Sequence, residues 1–186
     1  MLTKEQIKNL IVEYSSPSRY PNTDKGSYHA YEEFYSDFFI KFLDKKINLL
    51  EIGVAGGVSL KLWQEILPKA NLYGADANYK YLQYPIEDFK DMVLLPEGDQ
   101  TDPEIFKNIP LMDIIIDDAS HIACNSIKTF NILNNKLNNG GIYIIEDVWE
   151  EQLKEYPEDF LKQFKIVDLR KYKNRGDDML LVFEQK

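Results

Sequence analysis

Two short stretches concentrate acid at positions where the chain has just left an apolar run: Asp117-Asp118-Ala119-Ser120-His121 and Glu146-Asp147. The runs before them, Ile114-Ile115-Ile116 and Ile142-Tyr143-Ile144-Ile145, are β-branched or aromatic and read as strands, so both acidic stretches are expected at strand ends. Four carboxylates and one of the chain's two histidines would then share one edge. Uncompensated carboxylates repel and favour their own protonation, and a divalent cation with oxygen ligands, magnesium first among them, is the simplest relief. Asp118 and Glu146 are separated by 28 residues, room for one helix and a return to the neighbouring strand, so the acids can converge on one ion.

A second group suits a nucleoside. Glu51-Ile52-Gly53-Val54-Ala55-Gly56-Gly57 ends one strand-like run and opens a helical one around Ser59 to Ile66. Ala55 stands where the dinucleotide pattern G-x-G-x-x-G needs its second glycine, so no pyrophosphate cradle is implied. Asp76, ending Tyr73-Gly74-Ala75-Asp76, could accept both ribose hydroxyls, and Asp99, in Glu97-Gly98-Asp99-Gln100, could meet an adenine amino group. One acid in a loop is ordinarily a cap or turn former. Acids at successive strand ends of an open α/β sheet fall where such sheets bind ligands.

The elements that must hold these residues are legible as alternation. Candidate strands are 47–53, 71–75, 92–96, 112–117, 141–146, 165–169 and 179–184, with helical segments expected between the first five. The isoleucine-rich runs are apolar at successive positions, which places them in the sheet centre with both faces covered. The polar link Arg170 to Asp178, which carries Gly176, is too short for a helical crossover and makes the last two strands an antiparallel hairpin. Upstream, Thr3 and Gln6 read as a capping box on an amphipathic helix. Tyr31, Phe34, Tyr35, Phe38, Phe39 and Phe42 recur at helical spacing and read as core packing. No linker or repeat interrupts residues 1–186, so one domain is expected, with a helical cap over 1–46 on a Rossmann-like α/β core over 47–186.

Taken together, Thr23-Asp24-Lys25-Gly26 with His29, Leu50-Glu51-Ile52-Gly53, Asp117-Asp118-Ala119-Ser120-His121 and Ile145-Glu146-Asp147 resemble the metal-dependent sugar O-methyltransferases of macrolide and tetracenomycin biosynthesis. The glycine turn also resembles the class I methyltransferase loop E/D-x-G-x-x-x-G, at Glu51, Gly53 and Gly57. The resemblance implies a class I methyltransferase sandwich, its seven-stranded, mostly parallel sheet closed by an antiparallel hairpin, with S-adenosylmethionine and magnesium or another divalent cation as cofactors. Asp118, Glu146 and Asp147 become metal ligands and His121 the general base. Glu51, Gly53, Gly57, Asp76, Asp99, Gln100, Asp117, Asp24 and Lys25 become the cofactor site. Ala119 departs from the family's usual glycine and requires a backbone angle that a Cβ tolerates. The implied reaction is methyl transfer to a sugar hydroxyl of a glycan, glycoconjugate or glycosylated natural product. A catechol-like acceptor satisfies the same chemistry, and a non-catalytic nucleotide-binding module of glycan assembly is the alternative of another class. His29 reads equally as a cap or a site residue, and Tyr28 and Trp149 read as packing residues able to stack on a sugar.

Composition narrows the partners. A net charge of −9, with acids spread along the chain, opposes a polyphosphate backbone, so nucleic acid is not expected. The cluster Lys171, Lys173 and Arg175 reads as a solvated turn. Cys124 is the only cysteine, no apolar run reaches the ~20 residues of a membrane span, and the first segment is no signal core, so a cytoplasmic enzyme is expected. The expected partner is a small-molecule or glycan acceptor; self-association into a homo-oligomer stays open.

Overall fold

All seven apolar runs pair into one sheet in a computed structural model that describes residues 1–186. The strands are β1 (Asn48–Ile52), β2 (Asn71–Ala75), β3 (Met92–Leu94), β4 (Met112–Asp117), β5 (Leu137–Ile145), β6 (Lys165–Asp168) and β7 (Met179–Glu184). Their order is β3-β2-β1-β4-β5-β7-β6, parallel from β3 to β5, with β7 antiparallel to both β5 and β6. β4 is the middle strand, as its isoleucine run requires.

The helices are α1 (Lys4–Tyr14), α2 (Tyr31–Phe39), α3 (Val58–Ile66), α4 (Ala123–Leu133) and the single turns α5 (Glu158–Leu161) and α6 (Arg170–Lys173). Thr3 and Gln6 form the expected capping box on α1. Helical crossovers follow β1 and β4, but the links after β2 and β3 carry only the 3-10 turns Ile86–Phe89 and Pro103–Phe106, short of the helices expected there. The absence of an apolar 3.6-residue repeat accounts for the difference; Pro85 and Pro103 sit at the N-terminal ends of the two turns, where proline is tolerated. The β6–β7 link contains α6, one turn ended by Asn174 in the left-handed region, where the sequence suggested only a polar loop. β5 starts four residues early, at Leu137; Gly140, with φ +74, carries the backbone through the register shift opposite Met112 and Ile114.

Two apolar cores lie on the two faces of the sheet. Ile114, Ile116 and Ile144 pack with Ile7 and Ile11 of α1, with α2 and with Trp63 of α3. Ile115, Tyr143 and Ile145 point the other way, to Phe130 of α4 and Phe160 of α5. That alternation is why the central strands are apolar at every position. No helix is long and apolar enough to cross a membrane. The arrangement leaves the carboxyl ends of β1, β2, β4 and β5 on one edge, and the residues singled out above lie along it.

Candidate active site

Asp118 directly follows β4, and Glu146 and Asp147 directly follow β5. Asp118 Oδ1 lies 3.0 Å from His121 Nε2, which is 3.6 Å from Asp147 Oδ2. One ligand atom from each of Asp118, His121 and Asp147 fits within a mutual separation of 4.8 Å. His121 and Asp147 both hold left-handed backbone, with φ +54 and +56, a conformation that persists in such residues only when the surroundings enforce it. At Asp147 the enforcing group is Tyr31, whose hydroxyl accepts the Asp147 N–H at 3.0 Å and donates to Asp147 Oδ1. At His121 it is Gln152, whose amide donates to the His121 carbonyl at 2.9 Å. Ala119 escapes the left-handed region, so the departure from glycine costs the turn nothing.

The hydrogen bond from His121 to Asp118 pushes the imidazole up to about 9 against the effect of burial, with the charges of Asp118 and Asp147 adding to it. Burial opposes ionisation of Asp118, but Lys25 and His121 outweigh it and hold its carboxyl well below the usual range. Burial raises Asp147, and the neighbouring Asp118 charge raises it further.

The positive charge among these acids comes from the protein. Lys25, expected at the cofactor, is only 1% exposed; its Nζ donates to Asp118 Oδ2 at 2.8 Å and to Glu146 Oε2. Glu146 Oε1 accepts from the Tyr35 hydroxyl, so both oxygens of this expected metal ligand are engaged by protein donors, and Glu146 stands apart from the Asp118, His121 and Asp147 group. Repulsion between the carboxylates therefore no longer demands a metal by itself. What does fit a hard divalent cation is the pair of carboxylates, Asp118 and Asp147, whose oxygens lie within reach of one point, with the His121 imidazole beside them.

Two clefts flank this edge and meet at Gly53 and Ala119, which line both. The larger, of about 840 Å³, runs past Asp24, Lys25, Tyr28, Ala55, Asp118 and His121. The smaller, of about 200 Å³, is bordered by Asp76, Gly98, Asp99, Gln100 and Asn125. Asp76 is fixed by N–H groups from Ala55 at 2.8 Å and Asn78 at 3.1 Å, and Asp99 by the N–H and hydroxyl of Thr101, which hold its carboxyl below the ordinary value. Acids at both β2 and β3 ends of a cleft reaching the glycine turn fit a nucleoside of the adenosine type.

Three residues expected at the cofactor line neither cleft. Glu51 is fully buried inside β1, lines neither cleft, has no hydrogen-bond partner on either oxygen and has only Lys25 Nζ, at 3.9 Å, as a counter-charge. Gly57, at φ +77, starts α3, and a Cβ there would meet the Phe89 ring at 2.4 Å. Asp117 is buried between the Tyr143 hydroxyl, at 3.0 Å, and Gln100 Nε2, at 3.3 Å.

Sequence reasoning missed the donors that come from far along the chain. Tyr31 and Tyr35 are core residues by their rings, as expected, and site residues by their hydroxyls. His29 is buried, stacked on Tyr31, bonded through Nδ1 to Asp178 Oδ1 at 2.8 Å and 3.6 Å through Nε2 from Asp147 Oδ1. Lys173, read as solvated, donates to the carbonyls of Gly26 at 2.7 Å and His29 at 2.6 Å and so ties this segment to the β6–β7 link. Only the i, i+4 spacing of the two tyrosines hinted at a shared face. Tyr28 and Trp149 remain exposed, Arg175 lying over the Tyr28 ring at 4.7 Å and Trp149 against Gly176.

No family model matches the chain. Among curated proteins it is similar to an 8-demethyl-8-alpha-L-rhamnosyl tetracenomycin-C 2'-O-methyltransferase of Streptomyces olivaceus, 33% identical over 137 residues, which cover 68% of this chain and 35% of that protein. It is also similar to a mycinamicin VI 2''-O-methyltransferase of Micromonospora griseorubida, 32% identical over 143 residues, 71% of this chain and 35% of the relative. The chain thus spans about a third of the length of the curated relatives it matches. Among solved structures it resembles the MycE methyltransferase of the mycinamycin pathway in complex with Mg, SAH and mycinamycin VI, with TM-score 0.69, 22% identity, and coverage of 97% of this chain and 54% of that one. A CmcI structure with Mg and SAM matches with TM-score 0.62, 20% identity, and coverage of 83% and 71%. These structural likenesses identify the fold as that of Rossmann-like methyltransferases.

Proposed function

From the premise that this chain is a homologue of the sugar O-methyltransferases of tetracenomycin and mycinamicin biosynthesis and has the class I methyltransferase fold, we propose that it methylates a hydroxyl of a sugar or glycoside. The observation that carries this reading is that His121 and Asp118 line the same cleft as Gly53 and Ala55 of the glycine turn, so an acceptor and a methyl donor would meet there.

Asp76, Asp99 and Gln100 border the smaller cleft, where Asp76 would accept the ribose hydroxyls of S-adenosylmethionine and Asp99 and Gln100 would lie along its adenine. When bound, S-adenosylmethionine supplies the methyl group and leaves as S-adenosylhomocysteine. Asp118 and Asp147 would hold the divalent cation, Glu146 completing the set to the extent that Lys25 and Tyr35 release it; the ion would make an acceptor hydroxyl easier to deprotonate. His121, 40% exposed on its side chain and lining the larger cleft, takes the hydroxyl proton on its imidazole. The walls of the cleft hold acceptor and donor in line, which supplies a large part of the rate gain in such displacements.

The cofactor assignment is tested by calorimetric titration with S-adenosylhomocysteine. Wild type should bind, and Asp76→Ala should bind more weakly by about 1.5–3 kcal/mol for each lost charged hydrogen bond. Equal affinity of the two proteins would remove Asp76 from the ribose.

A further inference from the structure

A buried lysine beneath carboxylates that hold a divalent cation is chemically unexpected, because its charge opposes that of the arriving ion. Lys25 Nζ nonetheless faces three acids carried by three strands: Asp118 Oδ2 just past β4 at 2.8 Å, Glu146 Oε2 just past β5 in hydrogen-bond contact and Glu51 Oε1 inside β1 at 3.9 Å. It is the only lysine or arginine paired with any of the three.

The loop that carries it is anchored on every side. The Asp24 carbonyl accepts the N–H groups of Ser27, Tyr28 and His29. Gly26 N–H donates to Ser15 Oγ at 2.7 Å, so close to α1 that a Cβ at Gly26 would stand 2.9 Å from the Ile11 carbonyl oxygen. Lys173 binds the Gly26 and His29 carbonyls from the far end of the chain. A flexible lysine that merely happened to lie near acid would need none of this.

Resting on the cation reading above, we propose that Lys25 is a positioning residue, the resident counter-ion of the acidic edge. It holds Asp118 and Glu146 in place in the ion-free protein, so that a divalent cation enters a formed site instead of having to order one. Removing one partner of a buried ion pair strands the other's charge without water or counter-charge, a strongly destabilising change. In Lys25→Met the stranded carboxylates can be relieved by an added cation, by taking up a proton or by removing one of them, so the variant is compared with wild type above neutral pH, where proton uptake costs most.

Thermal melts in excess EDTA and in saturating magnesium test this on the whole chain. Lys25→Met should melt roughly 6–20 °C below wild type in EDTA, the size expected for a broken buried pair in a chain of this length. Magnesium should raise the variant's midpoint by more than it raises that of wild type, and Lys25→Met/Glu146→Gln should recover part of the loss in EDTA. A variant too unstable to fold in EDTA but folded with magnesium, or as the double variant, gives the same answer. A Lys25→Met midpoint equal to wild type in EDTA, or magnesium raising both proteins by the same non-zero amount, or no recovery in the double variant, overturns the proposal. Magnesium raising neither protein would refute the cation reading separately, and the Glu146→Gln rescue in EDTA would then still decide whether Lys25 is the counter-ion.

Discussion

His121 carries two demands in one imidazole. It is bonded to Asp118 and lies near Asp147, which keeps it protonated to about 9, yet a base acts only when unprotonated. Methyl transfer should therefore rise with pH through the His121 ionisation, and a cation on Asp118 and Asp147 should bring that rise to lower pH by cancelling the charges responsible. His121→Ala, saturated with cofactor and shown to be folded, should lose about 10²- to 10⁴-fold in single-turnover rate with cofactor affinity kept. A loss under about fivefold would leave the residue as a loop anchor only. Glu51 sets a stability gradient of the opposite kind. Burial pushes it up to about 7, so the folded chain keeps a proton that the unfolded chain releases in the ordinary carboxylate range. Its contribution thus falls as pH rises through that window and returns on acidification. Glu51→Gln should flatten the dependence of the melting midpoint on pH between about 4.5 and 7 and melt no lower than wild type above it. The acids at 117, 118, 146 and 147 were legible as a cluster from their strand-end positions. Glu51, expected at the cofactor, falls inside β1 with its side chain buried, which its place in the motif did not reveal. A glycine motif marks where a turn lies; it does not say which neighbouring side chain turns outward.

At the scale of elements, α2 shows what periodicity reveals and what it hides. Its aromatic spacing correctly indicates a buried face, and Tyr35, Phe38 and Phe39 pack around Trp63 and one another. Period alone cannot say that the hydroxyls of Tyr31 and Tyr35 end on Asp147 and Glu146, more than a hundred residues away in sequence. Lys173 was hidden for the same reason: a basic turn looks solvated until the loop it grips is folded beside it. Tyr35→Phe keeps the ring and removes one donor from a buried carboxylate, so it should cost about 1–3 kcal/mol in denaturant melts. A change within error would mean that Lys25 alone suffices for Glu146. The links between β2, β3 and β4 were over-read as helices because an α/β alternation invites a helix in every gap, whereas neither link carries the apolar 3.6-residue repeat that would bury a helix face.

For the whole molecule, the inner position of the two isoleucine strands and the closing hairpin followed from the apolar runs and the short final link, because burial on both faces keeps those strands off the sheet edges; the order of the remaining strands came only with the structure. Ile115 has no exposed surface and lies in the core beneath the site, so Ile115→Ala should cost about 2–5 kcal/mol, transfer and cavity together. The acceptor was not legible: the chain aligns with about a third of its relatives' length, and the exposed Tyr28 and Trp149 suit many rings. The central claim is cation-dependent methyl transfer to a sugar hydroxyl at the edge held by Asp118 and Asp147. It is tested most directly by following label from methyl-labelled S-adenosylmethionine into a panel of glycosides, with magnesium, with excess EDTA, and with a folded Asp118→Asn variant that still binds S-adenosylhomocysteine. The account predicts label in a glycoside with magnesium, its loss in EDTA, its return when magnesium is restored, and little or none with Asp118→Asn. Transfer undiminished in excess EDTA and in Asp118→Asn would contradict it.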